Sequence, residues 1–564
     1  MTRSNKLGVI GVALAVAILT GSGGLGAASA DDLKKFDHQQ QHDMNLVGTN
    51  DLQARSTYQP TLHKYGPGRY FLFTGHHALD VNPVTGQPLP SFNPLTAKNE
   101  PNGTSIVDVS DPKRPKLVFH IPVGTGVTPP ATPTAGGAQM VRVCDGIGAN
   151  AGQVFMLRSY ATSAHEIWNV TNPASPVGFR TVAGGNPVIG ALAGTHKSWW
   201  ECDTGIAYIV GRRGNDSAAG WRGGNHIFIF DLSDPANPVF LRDWALDGQQ
   251  PGGAIPPHFT AVPSIHGPIS TGRSSSAPLF PAFAASNPID GTGATLDRVY
   301  FAYGTGSNGV MQVADRTKLL PPPWGTGVKC GSAASTLDPP SCATADFKTA
   351  EIGRLIMNPD NGAHTSMPLG RITVPDFVTD TGNDDANTTR DIVVVVSEAT
   401  AHFCSEFRHL TFLTDVSDRP GLPGVAGRPQ VISTAQTPAS EGAFCDKGGR
   451  FGPHATNEEF GPPFYQKLVF VSYFNAGVRA FDVRDPYNPD NVAFFIPAVT
   501  ANTDFRCGPY QGDPNVCRQV VQTNNVASDD RGCIYIVDRA NTGLHVLELE
   551  GQAKKNVGDV DCKK

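Results

Sequence analysis

The stretch IFDLSDPANPVFLRDW, Ile229 to Trp244, reads as two strands and the turn between them. Ile-Phe-Asp-Leu is apolar, β-branched and aromatic, the composition of a short buried strand. Ser-Asp-Pro stops it, because an aspartate side chain bonds backbone N–H groups just ahead and proline has a fixed φ. Asn-Pro then releases the chain into a second apolar run, Val-Phe-Leu.

The phrase repeats along the chain. IVDVSDPKRPKLVFHIP begins at Ile106, IWNVTNPASPVGFRTV at Ile167 and AFDVRDPYNPDNVAFFIP at Ala480. Weaker copies are VMQVADRTKLL from Val310, TFLTDVSDRPGLP from Thr411 and LHVLELE from Leu544. Seven copies recur at roughly 60 residues, widening to about 80 to 100 in the middle, within the range of propeller units carrying long loops. A further strand pair precedes the phrase, as in GIAYIVGRR, RVYFAYGTG, DIVVVVSEA, KLVFVSYFN and CIYIVDRAN. Four short antiparallel strands per unit and seven units predict an all-β fold, a seven-bladed β-propeller. MNLVGTND, near the start, resembles the strand after the turn but has no turn before it, whereas the last unit stops at LHVLELEG and lacks that strand. The N-terminal strand is therefore expected to complete the seventh blade; an independent N-terminal arm is the other reading.

Composition agrees. Gly 62 and Pro 46 in 564 residues are about a fifth of the chain, above the ordinary roughly 12%, so turns are many and long helices few. Charged residues are 17% and the net charge is -6, with no basic, aromatic-interleaved patch, which argues against nucleic acid. Residues 1–30 have the form of a signal peptide: MTRSNK is basic, LGVIGVALAVAILT apolar, and Ala28-Ser29-Ala30 suits cleavage after Ala30. An uncleaved anchor is the alternative, disfavoured because the apolar run is short of the roughly 20 residues a spanning helix needs. Residues 31–564 are then one exported propeller, periplasmic, secreted or at the cell surface, with no transmembrane segment in the mature chain. Long inter-strand loops are expected at about 251–297 and 317–360.

Export makes disulfides the default for the 10 cysteines, which include no Cys-x-x-Cys. Cys330 with Cys342, and Cys507 with Cys517, read as clips across loops; Cys404 with Cys445 ties the ends of one unit. Cys144 and Cys202 fall at equivalent places on adjacent inner strands, which suggests a bridge between blades first and a metal thiolate second.

With these repeats the chain resembles the LVIVD-repeat proteins, exported bacterial and archaeal propellers named for a strand phrase like IVDVSDP. GGRFGPHATNEEF, YFNAGVRAFDVRDPYNP and VQTNNVASDDRGCIYIVDRANTGLHVLEL look like that family's C-terminal blades. The resemblance implies the fold across nearly the whole mature chain and little about activity, since fold does not supply chemistry.

A second phrase, His-x-[Ser/Thr], opens four units: GTHKSWW at His196, PPHFTAV at His258, GAHTSMP at His364 and GPHATNE at His454. In a propeller the innermost strand of each blade lines the channel, so equivalent histidines on consecutive blades point to one axis. With only 16 histidines in 564 residues, four repeat-equivalent ones stand out. Imidazoles so placed suit copper, zinc or iron; inter-blade hydrogen bonding is the competing reading. Gln139 in blade two, Asn524 in blade seven, and Gln59 and His63 in blade one would make a polar rim. Glu458 and Glu459 are the candidate acid/base pair near the channel mouth. His76 and His77 read as surface residues at a strand end, and His165 and His226 as structural. Propellers of the selenium-binding-protein (methanethiol oxidase) type more distantly share Asp-Pro-x-x-Pro phrases and bind copper through histidines.

Two functions fit. One is a binding or scaffold module whose loops contact a protein, glycan or small molecule. The other is a transition-metal oxidoreductase, copper first, with the four histidines as ligands and Glu458 or Glu459 handling protons.

Overall fold

The computed structural model describes residues 37–564 apart from 79–82, 87–91, 125–136, 185–188, 257–258, 260, 273–296, 332–341, 375–388, 418–428, 559 and 564. The expected signal peptide lies outside the described residues. The strands form seven four-stranded antiparallel sheets and two small two-stranded ones, the seven-bladed β-propeller that the repeat predicts. Blade three is representative, running outward through Leu192–Trp200, Ile206–Arg213, His226–Asp231 and Val239–Trp244.

The repeated phrase joins the third strand of a blade to the fourth, and its carboxylates act as expected. Asp231 Oδ1 accepts from Ser233 N–H at 2.8 Å, and Asp234 Oδ1 from Ala236 N–H at 3.1 Å. The same pair of turns recurs at Asp108 and Asp111 (2.9 and 3.0 Å), Asn169 and Asn172 (3.0 and 3.2 Å), and Asp482 and Asp485 (3.1 and 3.0 Å). Each side chain replaces a backbone partner that the turn removes.

The core lies between blades, which explains the near-continuous apolar strands. In the second strand of blade five, Thr389–Val396, the side chains of Ile392, Val394 and Val396 join one inter-blade cluster and those of Val393 and Val395 another. Ile227 and Ile229 face one side of blade three, Phe228 and Phe230 the other. Alternation along a strand therefore distributes residues between two cores rather than between core and solvent.

The N-terminal segment latches two blades. Met44–Asn50 pairs antiparallel with Leu544–Leu549 as the outermost strand of blade seven, Met44 opposite Leu549. Gln40–His42, which sequence reasoning did not single out, adds an outer strand to blade six against Asp490–Ile496. The inner edge of that blade is irregular: His454 N–H donates to the Ser472 carbonyl at 2.9 Å, and Thr456 bridges Val471.

Two expected loops prove to contain strands. The span 251–297 holds the inner strand of blade four, Ile265–Ser270, and 317–360 holds its outer strand, Glu351–Ile356, preceded by a short helix at Thr344–Thr349. Pro268 and Gly267 hide the first strand, and Gly353 and Arg354 interrupt the apolar pattern of the second. The four expected cysteine pairs are bonded, Cys144–Cys202, Cys330–Cys342, Cys404–Cys445 and Cys507–Cys517, and a fifth bridge joins Cys533 to Cys562. Among the described residues no helix is long and apolar enough to cross a membrane.

Candidate functional site

The inner strands are not regular where the site forms. In blade three the register slips by one residue between Thr195 and Ser198, and in blade four between Ile265 and Gly267, so His196 and His266 sit on bulges. Similar slips occur between Thr57 and Pro60 in blade one and between Thr523 and Asn525 in blade seven, around Tyr58 and Asn524. A bulge re-aims one side chain without ending the strand. Here the re-aimed groups meet at one end of the channel. His364 and His454 reach the same place from the approaches to their inner strands.

The result is a row of four histidines from four consecutive blades. His196 Nε2 lies 2.7 Å from His266 Nε2. Ring centroids are 3.6 Å apart for His266 and His364 and 4.2 Å for His364 and His454. The Tyr58 hydroxyl stands among them, 3.2 Å from His364 Nε2 and 3.4 Å from His266 Nε2. Glu398, beyond the second strand of blade five, puts Oε2 3.8 Å from His364 Nε2 and Oε1 3.7 Å from His454 Nε2.

The protonation of His454 follows from its partner. Its Nδ1 faces the Asn524 carbonyl, which can only accept, so Nδ1 carries the proton and Nε2 the lone pair. That Nε2 is fully buried with no hydrogen-bond partner. Burial pushes all four imidazoles below their usual range, His196 to about 4, and neighbouring cations and histidines push the same way. Neutral imidazole is the form that ligates metal. One ligand atom each from His266, His364 and Glu398 lie within 4.8 Å of one another. Ligands about 2 Å from a shared ion stand roughly 3 to 4 Å apart, so a small inward rotation completes such a set. Burial, the largest cause, raises the carboxyl of Glu398 above its ordinary value despite the opposing Arg450.

Above the histidines lies an open pocket of about 380 Å³. Tyr58, His196, His266 and Glu398 form its base, and Arg450 and Arg539 its charged wall. Arg450 Nη1 donates to Glu398 Oε1 at 2.7 Å.

Of the expected ligands, the structure brings His196, His364 and His454 together, while His258 lies outside the described residues. The histidine that blade four contributes to the row is His266, which sequence reasoning missed. It lacks the Ser/Thr two residues on, and Gly267 and Pro268 disguise its strand. The available signal was its short apolar stretch IHGPIS, the next strand-like run in the chain before RVYFAY. Gln139 lines the pocket and Asn524 supports His454, as a polar rim requires. His63 instead pairs with Asp145 at 3.1 Å near the outer end of its strand.

Glu458 and Glu459 are not at the mouth. Glu458 is buried against Lys197 Nζ and Arg142 Nη2. Glu459 accepts from Ser528 Oγ at 3.3 Å, at the opposite end of the blade-seven inner strand from Asn524. They belong to a second charged layer farther along the channel, because about four residues of extended chain separate them from His454. The carboxylate at the histidines is Glu398. His76 and His77 are likewise not surface residues: His76 is fully buried, 2.8 Å from Ser105 Oγ, and His77 lines the pocket edge-on to Tyr58. His165 bonds the Val210 carbonyl at 2.9 Å, a structural role.

No family model and no curated protein matches the chain. Among solved structures, the β-propeller domain of Cps50 (Swd1) from Myceliophteria thermophila is similar over 89% of this chain and 98% of its own, at 8% identity and a TM-score of 0.41.

Proposed function

We propose that this protein is an exported β-propeller of the LVIVD-repeat kind whose channel mouth holds a transition-metal ion and serves as a metal-dependent oxidoreductase site. The observation that carries the reading is the convergence of His196, His266, His364 and His454, with the buried Nε2 lone pair of His454 left without a hydrogen-bond partner. Soft, neutral imidazoles favour copper, zinc or iron over magnesium or calcium. A bound copper or iron ion would supply Lewis acidity and one-electron chemistry. The chain supplies the rest. The Asn524 carbonyl fixes the His454 tautomer, and Tyr58 spaces the neighbouring rings. Glu398, ion-paired with Arg450, sets a carboxylate beside His364 and His454.

A second reading has its own support. Tyr58 bonds His266 and His364, and His196 bonds His266, so three of the rings have polar partners without an ion. On that reading the propeller is a binding or scaffold module and the histidines are the floor of a ligand pocket.

Elemental analysis of the untagged mature protein from its native compartment separates the two, beside a variant carrying His266→Ala and His364→Ala. The metal reading expects about one copper, zinc or iron per chain, lost in a variant that still shows the wild-type circular dichroism spectrum. Metal-free wild type that also fails to take up these ions in dialysis overturns it and leaves the binding module.

A further inference from the structure

We propose that the pocket above the histidines binds the carboxylate of a small organic monoanion, with Arg539 as its counter-charge. Calling that anion a substrate rests on the metal reading; the binding site itself does not.

Arg450 and Arg539 both line the pocket, and Arg450 is matched by Glu398. Arg506, the next guanidinium, is matched by Asp504 at 2.7 Å and spends a second nitrogen on the Arg539 carbonyl at 3.0 Å. The side chain of Arg539 makes no hydrogen bond or ion pair among the described residues. Its environment is unfavourable to a cation: burial and the like charges of Arg450 and Arg506 pull it down to about 10, with Glu398 and Tyr58 opposing. Arg539 is therefore the pocket guanidinium left without a carboxylate partner among the described residues. Arg539 is only partly withdrawn from water, at the wall of an open pocket, and an incoming anion offsets what that partial burial costs.

The pairing also selects the anion. One unmatched guanidinium answers a single negative charge, and its planar fork fits the two oxygens of a carboxylate. Without an ion at the histidines, a phosphate dianion would need a second cation, and Arg450 is already paired with Glu398. The volume of about 380 Å³ is at the small end of ligand pockets, so the molecule is compact. Because His196, His266 and Tyr58 line the same pocket, a carboxylate held at Arg539 lays the rest of the molecule over the histidine row.

The test uses calorimetric titration of the full mature protein, as purified and after chelation, in low-salt buffer. The probes are acetate, pyruvate and benzoate, each paired with its neutral amide, and inorganic phosphate. At least one carboxylate should bind about tenfold or more tightly than its amide, as expected for a charge-assisted fork. Arg539→Gln should remove that preference, and Arg539→Lys, which keeps the charge and loses the fork, should keep part of it. The comparison of acid with amide needs no variant, so it stands even if a variant folds badly. No carboxylate preferred over its amide, phosphate tighter than every carboxylate, or unchanged preference in a folded Arg539→Gln overturns the proposal. Arg539-dependent carboxylate binding in a protein that takes up no metal sinks only the metal reading. Metal uptake without carboxylate preference sinks only this one.

Discussion

Glu459 shows how a channel changes an ordinary side chain. Burial, opposed by hydrogen bonds from Asn457 and Ser528, pushes its carboxyl up to about 7. In the unfolded chain the same group titrates near the usual glutamate value of about 4.3. The folded state therefore binds the proton more tightly. Its stabilising contribution is complete below about pH 4.3 and disappears as pH rises through about 7. Each tenfold gain in proton affinity corresponds to about 1.4 kcal/mol, and water in the channel screens part of it, so the change is on the order of 2 kcal/mol. Urea denaturation of wild type and Glu459→Gln between about pH 4 and 8 should show wild type losing that much relative to the variant. Parallel profiles would exclude a proton on Glu459. His454 makes a related point: its tautomer depends on a carbonyl 70 residues away in sequence, in another blade.

Among the elements, the inner strands carry the histidine row and the outer turns carry the fold. The Asp-Pro turns are local, each made by side chains bonding backbone two residues ahead, so they are legible in the sequence as a repeat. The bulges at His196 and His266 are not local, since a one-residue slip exists only relative to the partner strand. His-x-[Ser/Thr] located three of the row and missed His266, which is followed by Gly267 and Pro268 and so lacks the phrase. The Cys144–Cys202 bridge ties the inner strand of blade two to the end of that of blade three and closes a loop of 58 residues. Chain-entropy reasoning assigns a loop of that size about 4 kcal/mol. Replacing both cysteines by alanine should lower the denaturation free energy by about that amount and leave carboxylate binding within about twofold, because the bridge touches neither the histidines nor Arg539. A loss below about 1 kcal/mol would mean that blades two and three hold their register through packing alone.

At the level of the whole molecule the ring is closed by its ends. Met44–Asn50 supplies blade seven with its outermost strand, and Gln40–His42 overlays blade six. Removing residues up to 43 takes away only the overlay and should lower the melting temperature by a few degrees. Removing residues up to 50 opens the ring: Met44, fully buried in the core between blades six and seven, is lost, and the edge of blade seven is exposed. That truncation should broaden the calorimetric transition or split it, with the histidine row, which spans blades three to six, losing its rigid frame. A single sharp transition near the wild-type temperature in both truncations would show that the latch is dispensable.

By itself the sequence determined the blade number and the turn chemistry, because each depends on a local pattern repeated along the chain, and it pointed to the closing strand and to four of the disulfides, which the structure then paired. It also marked three of the four histidines, since they open units in the same way. Tertiary structure alone decided that His266 is the fourth, that Glu398 and not Glu458 or Glu459 stands beside them, and that Arg539 is left without a partner. Those facts arise where strands from separate blades converge, and neighbours across a channel have no fixed spacing along the chain.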